Sequence, residues 1–162
     1  MIMKSDLRAP MRYIILLSAT VFTIMLSMIP LGNLLTYPIT LFVTYVHELC
    51  HALAALLTGG HVYSIAIHQD ASGETMTSGG VGWLISMAGY TGTVLIGSVC
   101  LQSLRQQANA RSILLIFFAI TAISVFYTGL HSLFGTVVGS VLGALFIMTA
   151  MYGPLLLAEL LS

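Results

Sequence analysis

The sequence predicts an all-α polytopic membrane protein of about five transmembrane helices, with a short β-hairpin after the second. Three observations lead there. Of 162 residues, 58% are hydrophobic and only 6% are charged, five of each sign. The mean hydropathy is +1.02. Uncharged runs extend over 34 residues at 13–46 and over 47 residues at 112–158. A soluble domain carries roughly a quarter of its residues as Asp, Glu, Lys and Arg, so this chain cannot furnish a water-facing shell. Disorder requires polarity and nucleic-acid binding requires an excess of basic charge, and neither is present.

A helix crossing a hydrocarbon core of about 30 Å needs about 20 apolar residues. The run 13–46 is too long for one such helix and too short for two, and Pro30, Gly32 and Asn33 cluster inside it as turn residues. Span one is therefore read as 13–29 and span two as 37–57. To reach bilayer length, span two must run through His47, Glu48 and His51, which places three ionisable residues at membrane depth. Thr58, Gly59 and Gly60 end it. From His61 onward Val62, Ser64, Ala66 and His68 alternate with Tyr63, Ile65 and Ile67, and an Asp70-Ala71-Ser72-Gly73 cluster follows. Such alternation closed by turn residues predicts a hairpin over 61–77.

The Gly-rich stretch 79–101 is the third span, 102–111 is the longest polar loop, and the run 112–158 divides into spans 112–130 and 135–158 about a break at 129–135. The whole chain, 1–162, reads as a single membrane-embedded domain. Lys4, Arg8 and Arg12 precede the first apolar run, which is too long for a signal-peptide core and lacks a small-x-small cleavage site, so it reads as an uncleaved anchor. The positive-inside bias then puts the N-terminus in the cytoplasm, with Arg105 and Arg111 on the opposite side. Cys50 and Cys100 lie in apolar spans without CxxC spacing and carry no redox information.

His47-Glu48-Leu49-Cys50-His51 is an HExxH sequence. Residues four apart share one helix face, so both imidazoles can reach one metal ion. Glu48 is rotated from His47 by about 100° and can stand beside a metal-bound water as general base. With five His and three Glu in the chain, chance alone supplies roughly 0.003 such matches. Ionisable groups at bilayer depth are costly and usually functional.

The segment His47-Glu-Leu-Cys-His-Ala-Leu-Ala-Ala-Leu-Leu-Thr-Gly-Gly60 resembles the zinc-binding helix of the M50 peptidases, the site-2 protease family of intramembrane metalloproteases, and is especially similar to its short bacterial M50B-like branch. Ser72-Gly73, Gly79-Gly80 and Ala88-Gly89-Tyr90-Thr91-Gly92 are similar to further signatures of that branch. The resemblance is specific over 44–97 and architectural elsewhere. It implies an integral protein of the bacterial inner membrane with a Zn2+ cofactor, His47 and His51 as ligands and Glu48 as catalytic base.

Two departures from the family pattern bear on the site. Cys50 stands where the family usually has Gly, and its side chain points about 60° away from His47, as a helix-packing residue would. Site-2 proteases usually supply a third ligand as an Asp on a later span, whereas this chain has no Asp after Asp70. Catalytic zinc takes three protein ligands and one water. His131, the one His, Asp, Glu, Lys or Arg in the run 112–158, is the leading substitute, with His61, His68, Asp70, Glu74 and Glu159 as the others.

Gly135, Gly139 and Gly143 form two overlapping GxxxG steps, which close packing against another transmembrane helix explains, whether in this chain or in a second copy forming a homo-oligomer. The expected function is hydrolysis of a peptide bond within or beside the bilayer, on a membrane-associated peptide or protein substrate, with the hairpin offering an edge to an unwound substrate strand. The alternative is a non-catalytic membrane scaffold or metal-binding relative without a complete third ligand.

Overall fold

A computed structural model describes residues 8–105, 110–129 and 131–160. It contains five helices, α1 (Arg8–Ser27), α2 (Pro30–Leu57), α3 (Gly82–Arg105), α4 (Ala110–Thr128) and α5 (Leu133–Leu160), with strands β1 (His61–Ile67) and β2 (Gly73–Ser78) between α2 and α3. The expected order of helices and hairpin is therefore present. Among the described residues, α2, α3, α4 and α5 are each long and apolar enough to cross a membrane, while the apolar part of α1, Tyr13–Ser27, is shorter. The chain divides into two compact units after Pro38.

The first unit holds α1 and the start of α2. Proline lacks an amide hydrogen and has a fixed φ, so it suits the first turn of a helix, whose N–H groups have no partner in any case. Pro30 opens α2 in this way. Gly32 and Asn33 then continue the helix, with the Asn33 amide donating to the Ile29 carbonyl at 2.8 Å. The break thus falls at Met28 and Ile29, several residues before the expected start at 37. Pro38 stands inside the same helix.

In the second unit, α2 ends in a Schellman arrangement. Gly59 adopts φ +82°, and the amides of Gly60 and Gly59 donate to the carbonyls of Ala55 (2.7 Å) and Leu56 (3.2 Å). β1 and β2 pair antiparallel from His61↔Ser78 to Ile67↔Gly73, with an irregularity between Val62 and Ser64. Ile65 and Ile67 are fully buried, and β1 lies against α4 and α5. Phe42 of α2, Phe117 of α4 and Phe146 of α5 form an aromatic cluster with centroids 4.8 to 5.6 Å apart.

α4 and α5 pack closely through small residues. Gly135 faces Thr128 and Ile67, Gly139 faces Val125 and Tyr45, and Gly143 faces Phe118 and Thr121, so the GxxxG face is packed within this chain. Thr121, Ser124 and Thr128 are fully buried, and their hydroxyls donate to carbonyls one turn back in α4. No polar group in this seam is therefore left unsatisfied. The fully buried Tyr45 donates its hydroxyl to the Gly135 carbonyl and so clamps α2 to α5. Ser132 donates to the Ile67 carbonyl at 2.6 Å, tying the α4–α5 turn to the end of β1.

Candidate active site

The 3.6-residue repeat of α2 puts His47 and His51 on one face. Their Nε2 atoms are 3.0 Å apart, and the rings meet edge to face with centroids 4.7 Å apart. α3 lies along this pair through positions 85, 89 and 92, which share a helix face. The Ile85 carbonyl is 2.6 Å from His51 Nδ1. A carbonyl can only accept, so Nδ1 carries the proton, and in the neutral ring Nε2 keeps its lone pair on the side of His47. A Cβ at position 89 would collide with the Nε2 atoms of both histidines, and one at position 92 with Cys50 Sγ. The approach of α3 to α2 therefore depends on Gly89 and Gly92. The Tyr90 and His47 rings meet in a T-shaped arrangement, at 4.6 Å between centroids.

Glu48 faces the hairpin and is only 5% exposed. Thr75 of β2 donates its hydroxyl to Glu48 Oε2 at 2.7 Å, and the Thr75 hydroxyl also lies 3.1 Å from the Glu48 backbone carbonyl oxygen. At the start of β2, a Cβ on Gly73 would come within 2.7 Å of Glu48 Cγ and Oε1 and 2.8 Å of Thr44 Cγ2. Thr44 in turn donates to the Ala71 carbonyl at 2.8 Å. The turn itself is held by Asp70, whose Oδ1 accepts from the Ser72 hydroxyl (2.6 Å) and amide (3.0 Å). These two bonds hold the Asp70 carboxyl below its ordinary range.

His131 lies exposed in the α4–α5 turn, its amide donating to the Thr128 carbonyl at 3.0 Å. Among the described residues no three His, Cys, Asp or Glu side chains are close enough to share a metal ion, so His131 is not gathered with His47 and His51. His61 is exposed at the start of β1. His68 and Glu74 form an exposed pair at 4.0 Å beside the hairpin turn. Cys50 packs against Gly92. The side chain of Glu159 lies outside the described residues.

The two imidazoles fit a shared metal ion. Two nitrogens 3.0 Å apart can both bind one zinc at the usual Zn–N length of about 2.0–2.1 Å. One lone pair is fixed by the Ile85 carbonyl, and the missing side chain of Gly89 leaves open the space where the nitrogens converge. The carboxylate of Glu48, the next residue along α2 after His47, is held toward the hairpin by Thr75.

Motif spacing located His47, Glu48 and His51 but not their supports. Gly73, Gly89 and Tyr90 fall in the short signatures 72–73 and 88–92, where only their presence was legible. A main-chain carbonyl such as that of Ile85 has no sequence signal, and nothing in the hairpin's alternation distinguishes Thr75 from Thr77.

Residues 13–161 match the family model described as peptidase M50B-like. No curated protein and no solved structure matches the chain.

Proposed function

The chain belongs to the peptidase M50B-like family, and from that premise we propose that it is an intramembrane zinc metalloprotease hydrolysing peptide bonds within or next to the bilayer. One observation carries the reading: the convergence of the His47 and His51 Nε2 atoms at 3.0 Å, with a buried Glu48 oriented by Thr75 on the adjoining position. His47 and His51 would hold the ion. His131 is the residue proposed for the third position, because its neighbour Ser132 is bonded to Ile67, the strand partner of Gly73, and Gly73 lies against Glu48. Bound zinc supplies Lewis acidity toward the scissile carbonyl and a water of lowered pKa. Glu48 takes a proton from the attacking water on its carboxylate and delivers it to the leaving amine, a general-base role that ordinarily contributes about 10²–10⁴-fold. Burial of Glu48 and its hydrogen bond to Thr75 keep that carboxylate in one orientation. β2 pairs with β1 in a two-stranded sheet, and its other edge is proposed to pair with an unwound substrate strand.

The four helices of membrane length make this an integral membrane protein; placement in a bacterial inner membrane with a cytoplasmic N-terminus belongs to the proposal. A second reading, a membrane protein of this family that binds metal or a partner without hydrolysis, is favoured by the absence of a third ligand beside the histidines among the described residues. The deciding experiment reconstitutes wild type and Glu48→Gln with zinc and a library of single-span peptides, with cleavage read by mass spectrometry. Wild type should cleave, and Glu48→Gln should keep its zinc while losing roughly 10³-fold in rate. A zinc-loaded wild type that cleaves nothing would establish the second reading.

A further inference from the structure

The two histidines are supported unequally. His51 has a main-chain partner for its far nitrogen, the Ile85 carbonyl at 2.6 Å from Nδ1. Ligating histidines usually need such a partner, which fixes both the tautomer and the ring orientation. No counterpart bonds His47 Nδ1 among the described residues. What His47 has in its place is the Tyr90 ring, edge to face at 4.6 Å between centroids. That arrangement is favoured by the aromatic quadrupole, and it restrains how the imidazole can rotate. Gly89 fixes the contact from the backbone side: its Cα lies against both imidazoles, so the next residue of α3 emerges beside His47. Tyr90 is 77% exposed, so burial in the core does not explain its position.

We infer that Tyr90 is a positioning residue for His47, its ring holding the imidazole with Nε2 directed at His51 as the Ile85 carbonyl does for the other ring. The inference rests on the metal-site reading given above, and it assigns the role to the aromatic ring and not to the hydroxyl. The consequence is specific. Removing the ring frees His47 and weakens metal binding, whereas removing only the hydroxyl leaves metal binding intact.

The test measures metal affinity of the purified full chain by chelator competition with zinc, and the ligand-field absorption of the cobalt-loaded form, in wild type, Tyr90→Phe, Tyr90→Leu and Tyr90→Ala. Tyr90→Phe should match wild type within about twofold. Tyr90→Leu and Tyr90→Ala should lose about tenfold in affinity, the lower end of the range for loss of an outer partner of a ligating histidine, with an altered cobalt spectrum. If Tyr90→Ala does not purify as a folded helical protein, the Phe and Leu variants decide the matter, since both keep a bulky apolar group on α3. Equal affinities in all four proteins would overturn the role of Tyr90 while leaving the metal site standing, and so would a Phe variant as weak as Leu. A wild type that binds neither metal, and so does not differ from His47→Ala, overturns the metal-site reading and this inference together.

Discussion

The Thr75 hydroxyl donates to the Glu48 carboxylate at 2.7 Å, across 27 residues of chain. A strand thus reaches to a helix to orient the one acidic group at the site. Without the hairpin, Glu48 would be a nearly buried carboxylate on a membrane helix with no fixed direction, a costly arrangement. With it, the carboxylate is aimed by a donor whose own position is set by pairing of Thr75 with Ile65, a fully buried residue of β1. The core packing of β1 and the orientation of the base are therefore linked through one strand register.

Replacing Thr75 with Val keeps the shape and the β-branch but removes the donor. A hydrogen bond to a charged group contributes about 1.5–3 kcal/mol, so peptide cleavage by Thr75→Val should fall by about tenfold or more. Zinc content should stay at the wild-type level, because neither imidazole touches Thr75. Thr75→Ser, which restores the hydroxyl, should recover most of the rate. Turnover and metal analysis on the same preparations check both statements, and an undiminished rate in Thr75→Val would remove the hairpin from the control of Glu48.

The parts of this arrangement that could be read in the sequence are those encoded over short distances. His47, Glu48 and His51 fall within one turn and a half of helix, so their shared geometry follows from helical periodicity alone. The hairpin announces itself through alternation and the Asp70–Gly73 cluster, and it forms at β1 and β2 with Asp70 holding the turn as an Asx motif. Pro30 is ambiguous in sequence because proline serves both a turn and a helix start; Gly32 and Asn33 beside it favour a turn, whereas in the fold Pro30 begins α2. Gly135, Gly139 and Gly143 signalled close packing, but only the fold identifies Thr128, Val125, Tyr45 and Phe118 as what they meet. Thr75, Gly73, Gly89 and the Ile85 carbonyl act across 25 to 42 residues of chain, and no local pattern encodes such a pairing.

His131 tests how complete the site is. Its turn is tied to β1 through Ser132 and Ile67, at the end of the hairpin that lies against Glu48. If the ring ligates, His131→Ala should weaken zinc binding by more than the roughly 10–100-fold expected for an outer partner. The measurement is zinc retained after dialysis against a chelator, with His47→Ala as the reference for a lost ligand. Retention equal to wild type would remove His131 from the site and direct the search for a third ligand to the hairpin residues His61, His68, Asp70 and Glu74.

Gly89→Ala makes the sharpest demand on the metal reading. In an ordinary helix this substitution is favourable by about 1 kcal/mol, because alanine has the higher helix propensity. Here the added methyl would stand against the Nε2 atoms of both His47 and His51, in the space where their lone pairs would meet an ion. The variant should therefore keep its helical content, and its α4–α5 seam should be undisturbed, since the nearest atoms to the added methyl belong to His47 and His51 of α2. Its zinc retention should fall to that of His47→Ala, and cleavage with it. Gly92→Ala supplies the comparison on the same seam: its methyl meets Cys50 Sγ and Cβ and not the imidazoles. It should disturb the packing of α3 on α2 while leaving the ion's space open, and pairing it with Cys50→Gly should relieve the collision. Loss of zinc in Gly89→Ala, together with its retention in the Gly92→Ala, Cys50→Gly double variant, would locate the ion between the two nitrogens. Full zinc retention in Gly89→Ala would mean that the imidazoles do not share an ion at that point.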